Sequence, residues 1–130
     1  MTDDRLRQQH PRLAEWLEAT SDDQRVERVR QLSENVADAN GVRGECGVST
    51  NLEALVTNLD EAAWTLQEGV DRGDATADAF ELAFRRARAA NSWLIAHSNP
   101  SLEGSRAAVY EAVHALGGSD TTALVFLTAN

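Results

Sequence analysis

Apolar residues recur along most of this chain at steps of three and four. The longest run is Leu52, Leu55, Val56, Leu59, Ala63, Leu66 and Val70, which all fall on one side of a helix. Thr50, with Glu53 three residues on, has the capping-box pattern, and Gly73 supplies a stop. A second stripe, Phe80, Phe84, Ala87 and Leu94, predicts a helix that Asp74 or Thr76 can cap. The polar Asn91 falls between Ala87 and Leu94, and burial there would oblige its amide to find a hydrogen-bond partner. Asn99-Pro100 ends this helix and begins another, with Asn99 as cap and Pro100 at the first helical position. Leu102, Val109, Val113 and Leu116 mark that helix, with Tyr110 beside them, and Gly117-Gly118 closes it.

The N-terminal part repeats the pattern. Val26, Val29, Leu32 and Val36 form a stripe, with Ser21 and Gln24 as a capping box and Asn40-Gly41 as the end. Leu6, His10, Leu13 and Leu17 share a face, but Pro11 splits that segment into a turn over 3–9 and a helix over 11–19. Two stretches depart from the pattern. Residues 41–49 carry Gly41, Gly44 and Gly47 and read as a loop. Residues 121–128 hold a continuous apolar run, Ala123-Leu124-Val125-Phe126-Leu127, that fits a buried strand or a short helix. With no partner strand in the sequence, they read as a short docked helix. The elements predict an all-α fold: an antiparallel bundle of four to five helices, one domain over residues 1–130, with 41–49 as its Gly-rich loop.

Composition narrows the chemistry. Hydrophobic residues make up 42% and charged residues 25%, ordinary for a globular chain. The formal net charge is −9, and every one of the 12 basic residues is Arg. Without a lysine there is no Schiff-base or lysine-base catalysis and no Walker-type phosphate loop. The acidic balance argues against direct nucleic-acid binding and steers the chain toward a basic protein partner. The single Cys46 makes no internal disulfide and no cysteine-based zinc site. No run approaches the roughly 18 apolar residues of a membrane span, and the acidic start Met1-Thr2-Asp3-Asp4 is unlike a signal peptide. The expected location is therefore cytoplasmic, with no membrane partner.

Several motifs carry candidate chemistry. Glu111 and His114 stand three apart on one helix face, the spacing of a shared metal ligand pair, and are the metal candidates. Occurring once, the pair reads more simply as a solvated helix face. His97 lies at a helix end, where the dipole favours its charged form. Arg43 could lower the pKa of the Cys46 thiol, but adjacent Glu45 opposes that, so the thiol reads as a spectator. Gly41-x-x-Gly44-x-x-Gly47 lacks the preceding strand of a phosphate fingerprint, and no cofactor is expected. Arg25, Arg28 and Arg30, and separately Arg85, Arg86 and Arg88, read as ion-paired solvated faces. Trp64 and Trp93 sit at the edges of their stripes. Together with Tyr110 they are the candidate binding residues, because interfaces concentrate their energy in such aromatics. Burial in the core is the commoner fate of a tryptophan.

These features predict a binding protein rather than an enzyme, with the physical profile of inhibitors, antitoxins and toxin-immunity proteins. A second expectation is a bundle holding a small ligand or metal, with Glu111, His114, His97, Phe80, Phe84, Trp93 and Tyr110 as its handles. A third is a nucleic-acid mimic whose carboxylates stand in for phosphates. A homodimer joined through an apolar helix face also fits the pattern.

Overall fold

A computed structural model of the chain describes residues 4–129. Among these residues the architecture is all helical. The elements in order are α1 (Arg5–Gln9), α2 (Pro11–Ala19), α3 (Asp22–Ala39), α4 (Arg43–Val48), α5 (Leu52–Arg72), α6 (Ala77–Ser98), α7 (Leu102–Ala115) and α8 (Asp120–Thr128). The described residues thus form eight helices rather than four or five.

Pro11 opens α2 and so divides the N-terminal segment as expected, with His10 closing α1 and preceding α2. The terminal apolar run is helical and buries Ala123 and Leu127. Residues 41–49 are not a loop throughout, because 43–48 form α4. Val42 (0% exposed) and Cys46 (3%) stand four apart and both enter the core. That burial outweighs the poor helix propensity of Gly44 and Gly47. Burial also pushes the Cys46 thiol up to about 11, with Glu45 adding to the shift, so the thiol is inert at neutral pH.

Three caps differ from expectation. Asn51, not Thr50, caps α5, its side-chain oxygen accepting from Ala54 N at 3.0 Å. Ser101, not Asn99, caps α7, accepting from Gly104 N at 3.0 Å. Asn99 instead braces that turn, accepting from the Ser101 backbone N–H at 3.2 Å and from its hydroxyl at 2.7 Å. Ser21 stands at the N-cap of α3, but its side chain makes no cap bond. Asp22 and Asp23 in the first turn complement the helix dipole there.

One buried apolar cluster runs from Leu6 of α1 through α2, α3, α6 and α7 to Leu127 of α8, and takes in Cys46 of α4 and Val56 of α5. Where α6 meets α7, Ser92 and Ala108 are both small and buried. Small side chains let the two helices approach closely, and the Ser92 hydroxyl donates across the contact to the Ala108 carbonyl at 2.8 Å. Arg25 is not on a solvated face. It is 5% exposed and donates to Ser105 Oγ (3.2 Å), Asp22 (2.6 Å) and the Pro100 carbonyl (3.1 Å), tying α3 to the start of α7. By contrast, α5 makes its substantial contact with α6 alone and fully buries only Val56, Ala63 and Gly69. It is an arm laid on the body that enters the common core through Val56, with Leu52, Leu55 and Leu59 packed against it.

Gly104 gives a direct check of this packing. A Cβ there would overlap the Asn99 backbone carbonyl and lie 2.8 Å from the Asn99 Cβ. Gly→Ala in a helix normally gains about 1 kcal/mol. Here the overlap costs about 1–3 kcal/mol, so Gly104→Ala lowers the urea midpoint instead of raising it.

Candidate binding site

Between α5 and α6 lies an open groove of about 620 Å³. Its α5 wall is Thr57, Asp60, Glu61, Ala63, Trp64 and Gln67, and its α6 wall is Phe80, Phe84 and Arg88. The spacing explains the walls. Positions 57, 60, 61, 64 and 67 share one side of α5, and 80, 84 and 88 share one side of α6. Trp64 is 66% exposed. Phe80 and Phe84 stand with ring centroids 5.9 Å apart, both partly buried.

The lining of the groove is largely apolar, and an ion-pair cluster around Arg88 closes its floor. Arg88 donates from Nη1 to both carboxylate oxygens of Glu111 at 3.0 Å. Its Nη2 pairs with Asp60 across on α5. Asn91, half-buried, donates to Glu111 Oε1 at 2.9 Å, which supplies the partner its place on the stripe calls for. The Arg88 Nε–H is buried and has no acceptor among the described residues. That omission costs about 1–3 kcal/mol, to be set against the charge-assisted bonds around it. Arg88 also lies over the Phe84 ring, 5.7 Å from its centroid.

From Phe84 an aromatic line continues across α7. His114 meets the Phe84 ring edge-on at 6.3 Å and the Tyr110 ring at 4.6 Å. Arg5 of α1 covers Tyr110 at 4.3 Å, and Gln9 donates to its hydroxyl at 3.4 Å. Tyr110 therefore serves the contact between α1 and α7.

The residues singled out in the sequence are dispersed. Trp64 alone of the three aromatics borders the groove. Trp93 is 9% exposed and stacks on the His97 ring at 4.7 Å. Glu111 is not on a solvated face but 7% exposed, its carboxylate taken up by Arg88 and Asn91. His114 points into the aromatic line instead of joining Glu111. Among the described residues, no three His, Cys, Asp or Glu side chains gather in a way that could hold a metal ion. Sequence reasoning missed Asp60 and Glu61 and read Arg88 as part of a solvated face, whereas its side chain is largely covered and bridges Asp60 and Glu111. The available signal was the four-residue step from Phe80 through Phe84 to Arg88, which puts a cation on the aromatic stripe.

A wider concavity of about 830 Å³ lies where α2 meets α3 and α6 meets α7, lined by Glu18, Asp22, Asp23, Arg25 and Pro100 among others. Its one cation, Arg25, already has three acceptors, and no exposed aromatic borders it. The α5–α6 groove is therefore the candidate site. No protein-family model, curated protein or solved structure matches the chain.

Removing the anion at the floor tests its role. Glu111→Ala leaves Arg88 Nη1 and the Asn91 amide without their acceptor, with Asp60 the remaining partner of Arg88, and costs about 2–4 kcal/mol in urea unfolding. In the Arg88→Met background the same change costs much less, because the two residues act as a unit.

Proposed function

We propose that this chain is a protein-binding module, an acidic helical protein that docks a basic partner on the α5–α6 groove. Inhibitors, antitoxins and immunity proteins act in this way. The observation that carries the reading is Trp64, a large aromatic 66% exposed beside an apolar trough, with two carboxylates one turn away at Asp60 and Glu61. An exposed tryptophan flanked by phenylalanines has the composition of an interface anchor. The net charge of −9 speeds encounter with a basic protein and weakens that encounter as salt rises.

The reading treats the body as an antiparallel bundle that holds α5 and α6 in place, and the protein as a binder rather than an enzyme. Among the groove's polar side chains Asp60 and Arg88 pair with each other and Gln67 bonds Asp71, and nothing in them pairs a nucleophile with a base. Among the described residues no helix is long and apolar enough to cross a membrane. We place the encounter in the cytoplasm. A second reading draws on the groove's volume, about 620 Å³, which lies in the range of small-ligand sites. An aromatic cation is the ligand class that its walls favour.

The test is capture from source lysate with the tagged full chain, comparing wild type and Trp64→Ala at low and high salt. The expected result is a stoichiometric basic protein, weakened by salt and bound roughly 30-fold less tightly by Trp64→Ala. Because Trp64 is exposed, its replacement leaves stability within about 0.5 kcal/mol. Capture of nothing, or capture indifferent to Trp64→Ala, would overturn the proposal.

A further inference from the structure

The chemistry of the groove also specifies what part of a partner enters it. We infer that the occupant is a single amphipathic α-helix of about three turns, with apolar anchors on one face and an arginine or lysine at the edge meeting Asp60 and Glu61. The inference rests on the binding-module reading and deepens it.

Shape supplies the first argument. The α5 wall runs from Thr57 to Gln67, ten residue steps, or about 15 Å at 1.5 Å per step. The trough lies between two helix stripes, each stepping by about one turn. Such a trough is filled by side chains that also step by one turn, as when the ridge of a third helix enters the groove between two others. An extended peptide would instead seek a sheet edge, and the described residues form no strand.

Charge supplies the second argument. Arg88 is the one cation of the lining, and Glu111 behind it already takes both bonds of its Nη1. Asp60 shares what remains of that cation, through Nη2. Glu61 is exposed and makes no ion pair among the described residues. The α5 wall is therefore net negative. Asp60 and Glu61 precede Trp64 by four and three residues, so carboxylates and indole share one face. A partner arginine there reaches a carboxylate and lies against the Trp64 ring together. A second copy of this chain would bring its own Asp60 and Glu61 and a net charge of −9 to the same face, which opposes self-association through it.

The experiment is a display selection of random 16-residue peptides on the full-length chain. Winning peptides are then titrated by fluorescence anisotropy against wild type, Trp64→Ala and Glu61→Gln, with circular dichroism of each complex. The inference expects net-positive winners with apolar residues at i, i+3 or i+4, and i+7, which become helical on binding. Trp64→Ala should abolish measurable binding, and Glu61→Gln should weaken it about three- to fivefold at low salt. Acidic or extended winners, binding indifferent to both substitutions, or no winners at all would overturn it. So would sedimentation showing that the chain alone dimerises and that Trp64→Ala abolishes the dimer. Trp64-dependent capture from lysate combined with acidic or extended winners would discard the helix and keep the binding module. Failure of both experiments would discard the two together.

Discussion

The guanidinium of Arg88 joins three helices at one point. From α6 it reaches Glu111 on α7 with one nitrogen and Asp60 on α5 with another, while Asn91 steadies the Glu111 carboxylate. Apart from this tie, α5 is held mainly by apolar packing along α6. Three of its residues are fully buried, and Leu52, Leu55, Leu59, Leu66 and Val70 are only partly covered. A partly covered apolar stripe tolerates sliding and rotation, whereas an ion pair with fixed donors does not. The Asp60 contact therefore sets the rotation of α5. With Asp60 turned toward Arg88, Trp64 one turn later comes to the rim of the groove.

The contrast between arm and body follows from side-chain size and coverage. The α6–α7 contact is lined with alanine and serine and closes tightly, and the core built on it takes in leucines and valines from α1, α2, α3 and α8. Arg25 and Asn99 fix the turn between α6 and α7 from outside. Stability is concentrated there. The α5 arm buries three of its 21 residues and is expected to open before the body. A recognition surface placed on such an element can adjust to its ligand without disturbing the core.

Much of the fold was legible in the sequence. The stripes from Val26 to Val36, Leu52 to Val70, Phe80 to Leu94 and Leu102 to Leu116 all mark real helices, and Pro11 divides α1 from α2. The errors have physical causes. Glycine propensity suggested a loop at 41–49, but the buried pair Val42 and Cys46 overrode it. Capping patterns located helix starts to within a residue or two, since Thr50 and Asn51, like Asn99 and Ser101, offer the same chemistry in close succession. The site was less legible than the fold. Trp64 and Trp93 look alike, each one step off a stripe, yet Trp93 is on a helix packed from several sides and Trp64 on one packed from a single side. Periodicity identifies a helix face but not the number of neighbours that cover it. For the same reason the burial of Arg25 and Glu111 escaped a reading of local charge. Asn91 was the exception, because a polar residue on an apolar stripe requires a partner, and that partner is Glu111.

The central claim is that the Asp60–Arg88 contact holds α5 in the position that presents Trp64. It is tested most directly by amide hydrogen exchange, read by mass spectrometry, on wild type and Asp60→Asn. The substitution leaves the Arg88–Glu111 pair in place and removes only the α5 side of the tie. The account predicts faster exchange across residues 52–72, with α2, α3 and α7 protected as in wild type. Unchanged protection of α5, or a uniform loss over the whole chain, would contradict it.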